Sequence, residues 1–287
     1  MVKIKIIGGL GNQMFQYAAA KSLAVLNNTR VSANVSVFSN YKTHPLRLNK
    51  LNCDCEFDFT RDFRLVLSGF PLLGSAFSKK SMLLNHYVEK DLLFDSSFFD
   101  LDDNVLLSGY FQSEKYFSNI RELLIQEFSL DDRLTEAELA INNKIESCNS
   151  IAIHIRRGDY ITDLSANNIH GICSEEYFEK ALNYLDSINV LSDPTTTLFI
   201  FSDDILWCKD NLAFKYRTVF VEGSVDRPEV DIHLMSKCKH QVISNSTFSW
   251  WGAWLNTNLD KCVIAPLKWF NSLHDSTDIV PKQWMRL

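Results

Sequence analysis

Residues 2–13 read Val-Lys-Ile-Lys-Ile-Ile-Gly-Gly-Leu-Gly-Asn-Gln. Lysines alternate with isoleucines up to Ile6, and this alternation predicts a β-strand. Three of the ten glycines in the chain, Gly8, Gly9 and Gly11, follow at once, and apolar residues at helical spacing come after them. A strand, a glycine turn and a helix in this order are typical of the start of a parallel α/β domain.

A second series of strands and helices is predicted from Ile151 to the end of the chain. Its strands are short apolar runs, at 151–155, 197–202, 216–221, 241–244 and 262–265. Helical patterns lie between them, and such alternation predicts a doubly wound parallel sheet. Between the two series we expect a strand at 104–110 and helices at 113–128 and 135–146. We therefore divide the chain into domains 1–147 and 148–287.

Composition excludes several classes of protein. Of the 287 residues, 46% are hydrophobic and 12% aromatic, which excludes general disorder. A net charge of −6 disfavours binding of nucleic acid by general electrostatic attraction. The seven scattered cysteines fit a reducing compartment better than a disulfide framework, and no signal peptide or membrane-length apolar run is visible. We expect a cytoplasmic location.

The glycine turn is the first candidate site. Glycines between a strand and a helix let a ligand approach the backbone amides at the positive helix end. The dinucleotide fingerprint would place a third glycine where this chain has Met14, and an acidic residue within 29–37, where none occurs. Binding of NAD is therefore disfavoured, whereas an anion or polar ligand is not. The alternative is a tight turn that only packs helix against strand.

A second candidate is the stretch His154-Ile155-Arg156-Arg157-Gly158-Asp159-Tyr160, which follows a predicted parallel strand. Clefts of α/β proteins form at such carboxyl ends, and an arginine fork can bind two phosphate oxygens at once. Asp159 could hold an arginine in place or capture a substrate hydroxyl. The alternatives are a surface salt-bridge cluster and, for His154, a satisfied core histidine.

Two further stretches suit the same cleft. Residues 244–252 read Ser-Asn-Ser-Thr-Phe-Ser-Trp-Trp-Gly, and hydroxyls with free amides at a helix start favour an anion. Trp250 could stack on a flat ring; the alternative is an ordinary cap before a Trp-rich core helix. Ser202-Asp203-Asp204 ends a strand and could hold a metal ion or accept hydrogen bonds from a base or ribose. The alternative there is helix capping.

Together these motifs resemble the α-1,2-fucosyltransferases of glycosyltransferase family 11. The matching stretches are GGLGNQMFQY at 8–17, GYFQSE at 109–114, HIRRGDY at 154–160, FSDD at 201–204 and SNSTFSWWGA at 244–253. The resemblance implies a GT-B-like α/β fold, in which two Rossmann-like domains face each other across a cleft. It also implies an inverting transfer of L-fucose from GDP-β-L-fucose to the 2-hydroxyl of a terminal galactose, without a metal or other cofactor.

The bacterial members of this family work on cytoplasmic intermediates of surface polysaccharides such as O-antigen. The resemblance therefore implies a galactose-terminated glycan acceptor for domain 1–147 and GDP-fucose for domain 148–287. A lipid-linked acceptor would bring the protein into peripheral contact with the inner membrane. Rival interpretations are another GDP-sugar transferase, a non-catalytic glycan-binding protein on the same fold, and a dinucleotide oxidoreductase.

Roles for individual residues follow from the resemblance and the chemistry. Bond breaking adds negative charge to the β-phosphate of GDP, and Arg156 is the first candidate to stabilise it. The group that accepts the proton of the acceptor hydroxyl could be Asp159, His154 or the leaving phosphate. Asn12 is expected to line the centre of the cleft. The donor-binding residues are expected to be Gly9, Gly11, Asn12, Gln13, His154, Arg156, Arg157, Asp159, Ser202, Asp203, Asn245, Ser246, Thr247, Phe248 and Trp250.

Overall fold

The computed structural model describes residues 1–41, 44–60, 85–130, 133–158, 171–223, 226–271 and 275–287. These residues form two compact units. The N-terminal unit comprises 1–129 with 277–279, and the C-terminal unit comprises 130–276 with 280–287. The candidate residue Asp159 lies outside the described residues.

The N-terminal unit is built on a five-stranded parallel sheet in the order β3-β2-β1-β5-β4. Its strands are β1 (Val2–Lys5), β2 (Val31–Asn34), β3 (Glu56–Asp58), β4 (Asn85–Val88) and β5 (Val105–Ser108). Its helices are α1 (Leu10–Leu26) and α2 (Arg121–Glu127). The strand, glycine turn and helix predicted at the start of the chain are confirmed as β1, Gly8–Gly9 and α1.

The prediction of a single helix over 113–128 is wrong. Two 3₁₀ turns, Glu114–Tyr116 and Ser118–Ile120, precede the seven-residue α2. The chain leaves helical geometry at Phe117, whose φ is −149°. This break turns the Phe117 ring into the core, where it is fully buried and meets the Phe15 ring edge-on at 5.8 Å.

The C-terminal unit has a six-stranded parallel sheet in the order β11-β10-β9-β6-β7-β8. Its strands are β6 (Ser150–Ile155), β7 (Thr197–Ser202), β8 (Arg217–Phe220), β9 (His240–Val242), β10 (Val263–Ala265) and β11 (Met285–Arg286). Its helices are α3 (Glu136–Glu146), α4 (Glu175–Ser187), α5 (Ile205–Asn211), α6 (Pro228–Lys237) and α7 (Thr247–Leu255). All five predicted strands are present, and β11 is an additional edge strand.

The division between the units falls earlier in the chain than the sequence boundary of 147/148. Helix α3 belongs to the C-terminal unit. Its Glu138 accepts two hydrogen bonds of 2.7 Å from Arg227 Nη1, just before α6, and Ile145 of the same helix is fully buried. The ion pair attaches α3 to the start of α6 in the C-terminal unit, a relationship that helical periodicity alone does not reveal.

The predicted α/β class with two Rossmann-like parallel sheets, the architecture of the GT-B type, is confirmed. Register in the second sheet pairs Ile155 with Ser202 and Ile153 with Val242. The segments that follow β6, β7 and β9 therefore leave the sheet at one shared edge. Within the described part of the chain, no helix combines the length and apolarity needed to cross a membrane.

Candidate active site

Asp203 organises the loop that follows β6. Its Oδ2 lies 2.9 Å from Arg156 Nη1, while its two carboxylate oxygens accept hydrogen bonds from the amides of Arg157 at 2.9 Å and Gly158 at 3.1 Å. A Cβ at Gly158 would come within 2.8 Å of Asp203 Oδ2, so only glycine fits the loop unchanged. The carboxylate of Asp203 therefore fixes the arginine loop, a role that the sequence did not indicate.

Arg157 lies against an aromatic surface. Its guanidinium carbon is 3.3 Å from the centroid of the Trp207 ring, a stacking arrangement in which the ring face attracts the cation. Asp204 caps α5 by accepting a hydrogen bond from the amide of Trp207, and Ser202 accepts one from the amide of Asp204. The hydroxyl of Ser202 thus supports the turn, and the helix-capping alternative holds for Asp204.

A pocket of about 210 Å³ lies beside this stack. Arg157 and Trp207 line it together with Ile155, at the carboxyl end of β6, and with Phe178 and Cys173. Trp207 carries no signal in the sequence beyond its position three residues after the Asp pair. Its contribution appears only when α5 is placed beside the loop after β6.

His154 connects two strand ends inside the C-terminal unit. Its side chain is buried, its Nδ1 is 2.7 Å from Ser244 Oγ, and its ring lies 5.7 Å from that of Phe248. Burial lowers the pKa of His154 well below its usual range, and the neighbouring Arg156 lowers it further against the opposing effect of Asp203. A buried, neutral imidazole of this kind is a poor general base and a good positioning group.

Helix α7 presents its N-terminus at the same edge. Ser246 is the N-cap, and its Oγ accepts a hydrogen bond of 3.3 Å from the amide of Phe248. The side chains of Ser246, Thr247 and Phe248 are each partly exposed. Because the first turn contains no acidic residue, the positive end of the helix dipole is left to attract an anion.

Two expected donor-binding residues of this segment are internal. Asn245 donates to the carbonyl oxygens of Gly171 at 3.3 Å and Trp269 at 3.2 Å, so its amide ties loops together. Trp250 is 0% exposed, and its ring stacks on Trp254 at 6.0 Å. The expectation that Trp250 stacks on a ligand is therefore corrected: it forms the core beneath the helix start.

The glycine turn of the N-terminal unit is tight, and Gln13 holds it. Gln13 is fully buried; its Nε2 donates to the carbonyls of Gly8 and Pro45, while its Oε1 accepts from the amides of Arg47 and Leu48, all within 2.8–3.0 Å. All four hydrogen-bonding positions of the amide are therefore used inside the protein. The expectation that Gln13 contacts the donor is corrected to a structural role.

The other residues of the turn differ in exposure, since Gly8 and Gly11 are buried and Gly9 is partly exposed. Gly8 has a φ of +80°, which favours glycine, and Gly9 is the N-cap of α1. Gly11 is buried in the first turn of α1. Asn12 is partly exposed, and its Oδ1 accepts a hydrogen bond of 2.9 Å from Gln112 Nε2.

Glu89 joins this edge from β4, and no sequence motif pointed to it. Its carboxylate accepts hydrogen bonds from the amides of Tyr110 at 2.6 Å and Phe111 at 2.9 Å. Phe111 has a φ of +54°, a conformation that non-glycine residues adopt only under constraint. The clamp by Glu89 stabilises this loop beside Gln112 and Asn12.

The structure thus places the candidate residues in two groups, one in each unit. Within the C-terminal unit, one sheet edge gathers His154, Arg156, Arg157, Ser202, Asp203, Asn245, Ser246, Thr247 and Phe248. Within the N-terminal unit, Gly9, Gly11, Asn12 and Gln13 follow β1. The group with paired arginines and an anion-binding helix start is suited to a diphosphate.

Comparison with known proteins supports the fold and shows the family. A mutant of Arabidopsis thaliana FUT1, solved in complex with GDP, shares the fold with a TM-score of 0.52 and 11% identity, over 91% of this chain and 69% of that one. The profile of glycosyl transferase family 11 matches residues 1–287. The chain belongs to this family, and it is therefore a glycosyltransferase.

Two bacterial relatives match along nearly their whole length. The α-1,2-colitosyltransferase of Escherichia coli is 36% identical over 296 residues, which cover 100% of this chain and 99% of the relative. The O-antigen biosynthesis glycosyltransferase WbnK of Escherichia coli is 31% identical over 306 residues, which cover 98% of each chain.

Proposed function

We propose that the protein is an inverting α-1,2-fucosyltransferase of O-antigen biosynthesis. It would move L-fucose from GDP-β-L-fucose to the 2-hydroxyl of a terminal galactose on a surface-polysaccharide intermediate. Membership of family 11 supports the transfer reaction, and the name of the relative WbnK supports the O-antigen context. A lipid-linked acceptor would bring the protein to the cytoplasmic face of the inner membrane.

The hydrogen bond between His154 and Ser244 carries the proposal for the donor site. It joins the end of β6 to the end of β9 at 2.7 Å. Arg156 lies two residues after His154 in the chain. Ser246, the N-cap of α7, lies two residues after Ser244. An arginine and a helix start are thereby held on neighbouring strand ends, an arrangement suited to a diphosphate without a metal ion.

Arg156 is proposed to stabilise the leaving group. Cleavage of the bond between the sugar and the β-phosphate leaves an oxocarbenium-like sugar and adds negative charge to the phosphate. A guanidinium aimed at those oxygens binds the transition state more strongly than the ground state. Asp203 holds this guanidinium in place before substrate arrives, so little reorganisation is needed during the reaction.

Asp159 is the proposed general base for the acceptor hydroxyl. A base must lie near the hydroxyl and hold its pKa close to the working pH. The side chain of His154 is buried, and its Nδ1 contacts Ser244, so this imidazole is held inside the C-terminal unit. We therefore retain Asp159 of the arginine motif for this role and assign His154 to positioning.

The 36% sequence identity with an α-1,2-colitosyltransferase favours GDP-colitose as a second candidate donor. Colitose is L-fucose without the 3-hydroxyl, so the two donors present the same diphosphate to the arginines. They differ only at one position of the sugar ring. The preference for one donor depends on whether a protein group forms a hydrogen bond with the 3-hydroxyl. Such a group, if buried, would be left without a partner when GDP-colitose binds, and this would disfavour the deoxy sugar.

Release of GDP from each donor tests both proposals. GDP-fucose and GDP-colitose are supplied separately, with EDTA present, and lactose or N-acetyllactosamine serves as acceptor. Acceptor-dependent release from GDP-fucose, with an α-1,2 linkage in the product, is the expected result. Faster release from GDP-colitose would replace the donor. GDP binding without release from either donor would favour a glycan-binding protein or a different GDP-sugar transferase.

A further inference from the structure

The side chain of Gln112, in the segment that follows β5, has one buried polar atom without a protein partner. Gln112 is 7% exposed, and its Nε2 donates a hydrogen bond of 2.9 Å to Asn12 Oδ1. Its Oε1 is buried and finds no hydrogen-bond donor among the described residues. A buried carbonyl oxygen without a donor destabilises a protein unless a ligand supplies one. The oxygen therefore suits a ligand that donates a hydrogen bond.

The backbone that leads into Gln112 is held in a strained conformation. Phe111 has a φ of +54°, which a residue with a side chain rarely adopts. The Glu89 carboxylate accepts hydrogen bonds from the amides of Tyr110 and Phe111. The Phe111 ring is fully buried and meets the ring of Tyr116 edge-on at 5.4 Å. Tertiary contacts thus fix this conformation, and strain of this kind is concentrated at ligand sites.

Sheet topology places Gln112 at the edge where ligands of α/β proteins bind. Strand β5 lies between β1 and β4 and runs parallel to both. The segments after these three strands carry the glycine turn, Glu89 and Gln112, and all three leave the first sheet at its carboxyl edge. Clefts of open α/β sheets form outside this edge. The hydrogen bond to Asn12 attaches Gln112 to the first turn of α1, directly after the glycine turn.

A cavity of about 230 Å³ lies beside the same segment. Its lining combines aromatic rings with carboxylates, which come from Tyr87, Phe94, Tyr116, Glu89, Asp91 and Asp95. The Phe111 ring stacks on one of these rings, that of Tyr87, at 6.3 Å. Aromatic faces pack against the apolar face of a sugar ring, and carboxylates accept hydrogen bonds from hydroxyl groups. Because three carboxylates accompany a single lysine, Lys90, in the described lining, a neutral saccharide is favoured over an anion.

We propose that Gln112 and this cavity bind the acceptor saccharide, and that Gln112 Oε1 accepts a hydrogen bond from a hydroxyl of the terminal galactose. This inference rests on the proposed function and names a residue that selects the acceptor. The hydroxyl bound is the 3-, 4- or 6-hydroxyl, since the 2-hydroxyl must be free to attack the donor sugar. The next sugar of the acceptor would occupy the cavity, where the carboxylates accept its hydroxyl protons.

Initial rates of GDP release from GDP-fucose test the role of Gln112 in the full chain. The acceptors are lactose and its 3′-, 4′- and 6′-deoxy analogues, and Gln112→Met removes both polar atoms at similar volume. We expect the KM for lactose to rise about tenfold or more, while the KM for GDP-fucose stays unchanged. Gln126→Met, at an exposed position of α2, is the matched control and should leave both KM values unchanged.

The deoxy analogues separate binding of the acceptor from a merely structural role. One analogue should be a poor acceptor for the unchanged protein and should suffer no further loss in Gln112→Met, because the hydroxyl and the amide form one pair. Gln112→Glu keeps an acceptor oxygen and should keep the discrimination against that analogue. Gln112→Asn withdraws the amide by one methylene and provides the same test should Gln112→Met fail to fold.

Asp91→Asn tests the assignment of the cavity. The unchanged protein should prefer lactose to methyl β-D-galactoside, which lacks the second sugar, and the variant should lose about threefold or more of this preference. Asp100→Asn, at an exposed position of the same unit, is the control. An unaltered preference in Asp91→Asn, or equal use of both acceptors by the unchanged protein, would overturn the assignment of the cavity.

Failure of the inference and failure of the proposed function give different results. Identical discrimination among the deoxy analogues by the unchanged protein and by Gln112→Met would overturn the role of Gln112 and leave the proposed function standing. Absence of acceptor-dependent GDP release by the unchanged protein with every galactoside would overturn the proposed function itself.

Discussion

The carboxylate of Asp203 holds the guanidinium of Arg156 at 2.9 Å and, through two further hydrogen bonds, the backbone of Arg157 and Gly158. One acidic residue just after β7 therefore fixes both the side chain and the main chain of the arginine loop that follows β6. Both partners of the ion pair are about one fifth exposed, so a ligand can still reach them. This arrangement is a preorganised cation site.

Arg156→Lys is expected to reduce the rate of GDP-sugar turnover by about 10²–10³-fold with little change in melting temperature. Lysine keeps the charge but lacks the planar fork that reaches two phosphate oxygens. The comparison uses initial rates of GDP release and thermal unfolding, with Arg217→Lys, an exposed arginine on β8, as control. Near-normal turnover in Arg156→Lys would remove this residue from the mechanism.

Asp203→Asn is expected to slow turnover by a similar factor, about 10²-fold. The substitution removes the negative charge that holds Arg156. It also replaces one carboxylate oxygen, which accepts a hydrogen bond, with an NH₂ group, which cannot accept one. Since both residues act as one unit, the double variant with Arg156→Lys should be little slower than either single variant. Multiplicative losses in a double-mutant cycle measured by kcat would show that the two residues act independently.

The strand and helix pattern of the C-terminal half could be predicted because its signals are local. A serine just before a helical pattern is typical of an N-cap, and Ser174 and Ser246 both cap helices in the structure. Strand β7 matches its predicted bounds, Thr197–Ser202, since a buried parallel strand is a continuous apolar run. The helix over 113–128 failed because the burial of Phe117 outweighs local helical periodicity.

Residue roles were harder to predict than elements. Gln13 and Asn245 stand in motifs that indicate ligand contact, yet their amides bind neighbouring loops. Conversely, Glu89 and Asp231 lie outside the motifs, and only the folded chain shows what their carboxylates meet. A motif reports that a residue type suits a site, whereas tertiary contacts decide whether its polar atoms remain available.

Gln13→Ala is expected to lower the free energy of unfolding by about 1–3 kcal/mol, because buried amides of Arg47 and Leu48 lose their acceptor. GDP affinity of the folded protein should be unchanged. Urea denaturation and calorimetry measure the two effects, with Gln126→Ala, an exposed glutamine of α2, as control. A loss of GDP affinity with normal stability would restore Gln13 to the donor site.

Replacement of Asp231, in the first turn of α6, by asparagine (Asp231→Asn) is expected to stabilise the ligand-free protein at pH 8 and to have a smaller effect at pH 5. Burial raises the pKa of Asp231 to about 7, whereas an aspartate in the unfolded chain titrates near about 3.9. Between these values the native state holds the proton that the unfolded state has released, so the free energy of unfolding falls as the pH rises through this window.

The variant has no carboxyl group to ionise, so its melting temperature should decline less than that of the unchanged protein between pH 5 and pH 8. The measurement is a thermal scan at each pH without nucleotide, with Asp210→Asn, an exposed aspartate of α5, as control. An equal decline in both proteins would mean that Asp231 does not ionise in the native state over this pH range.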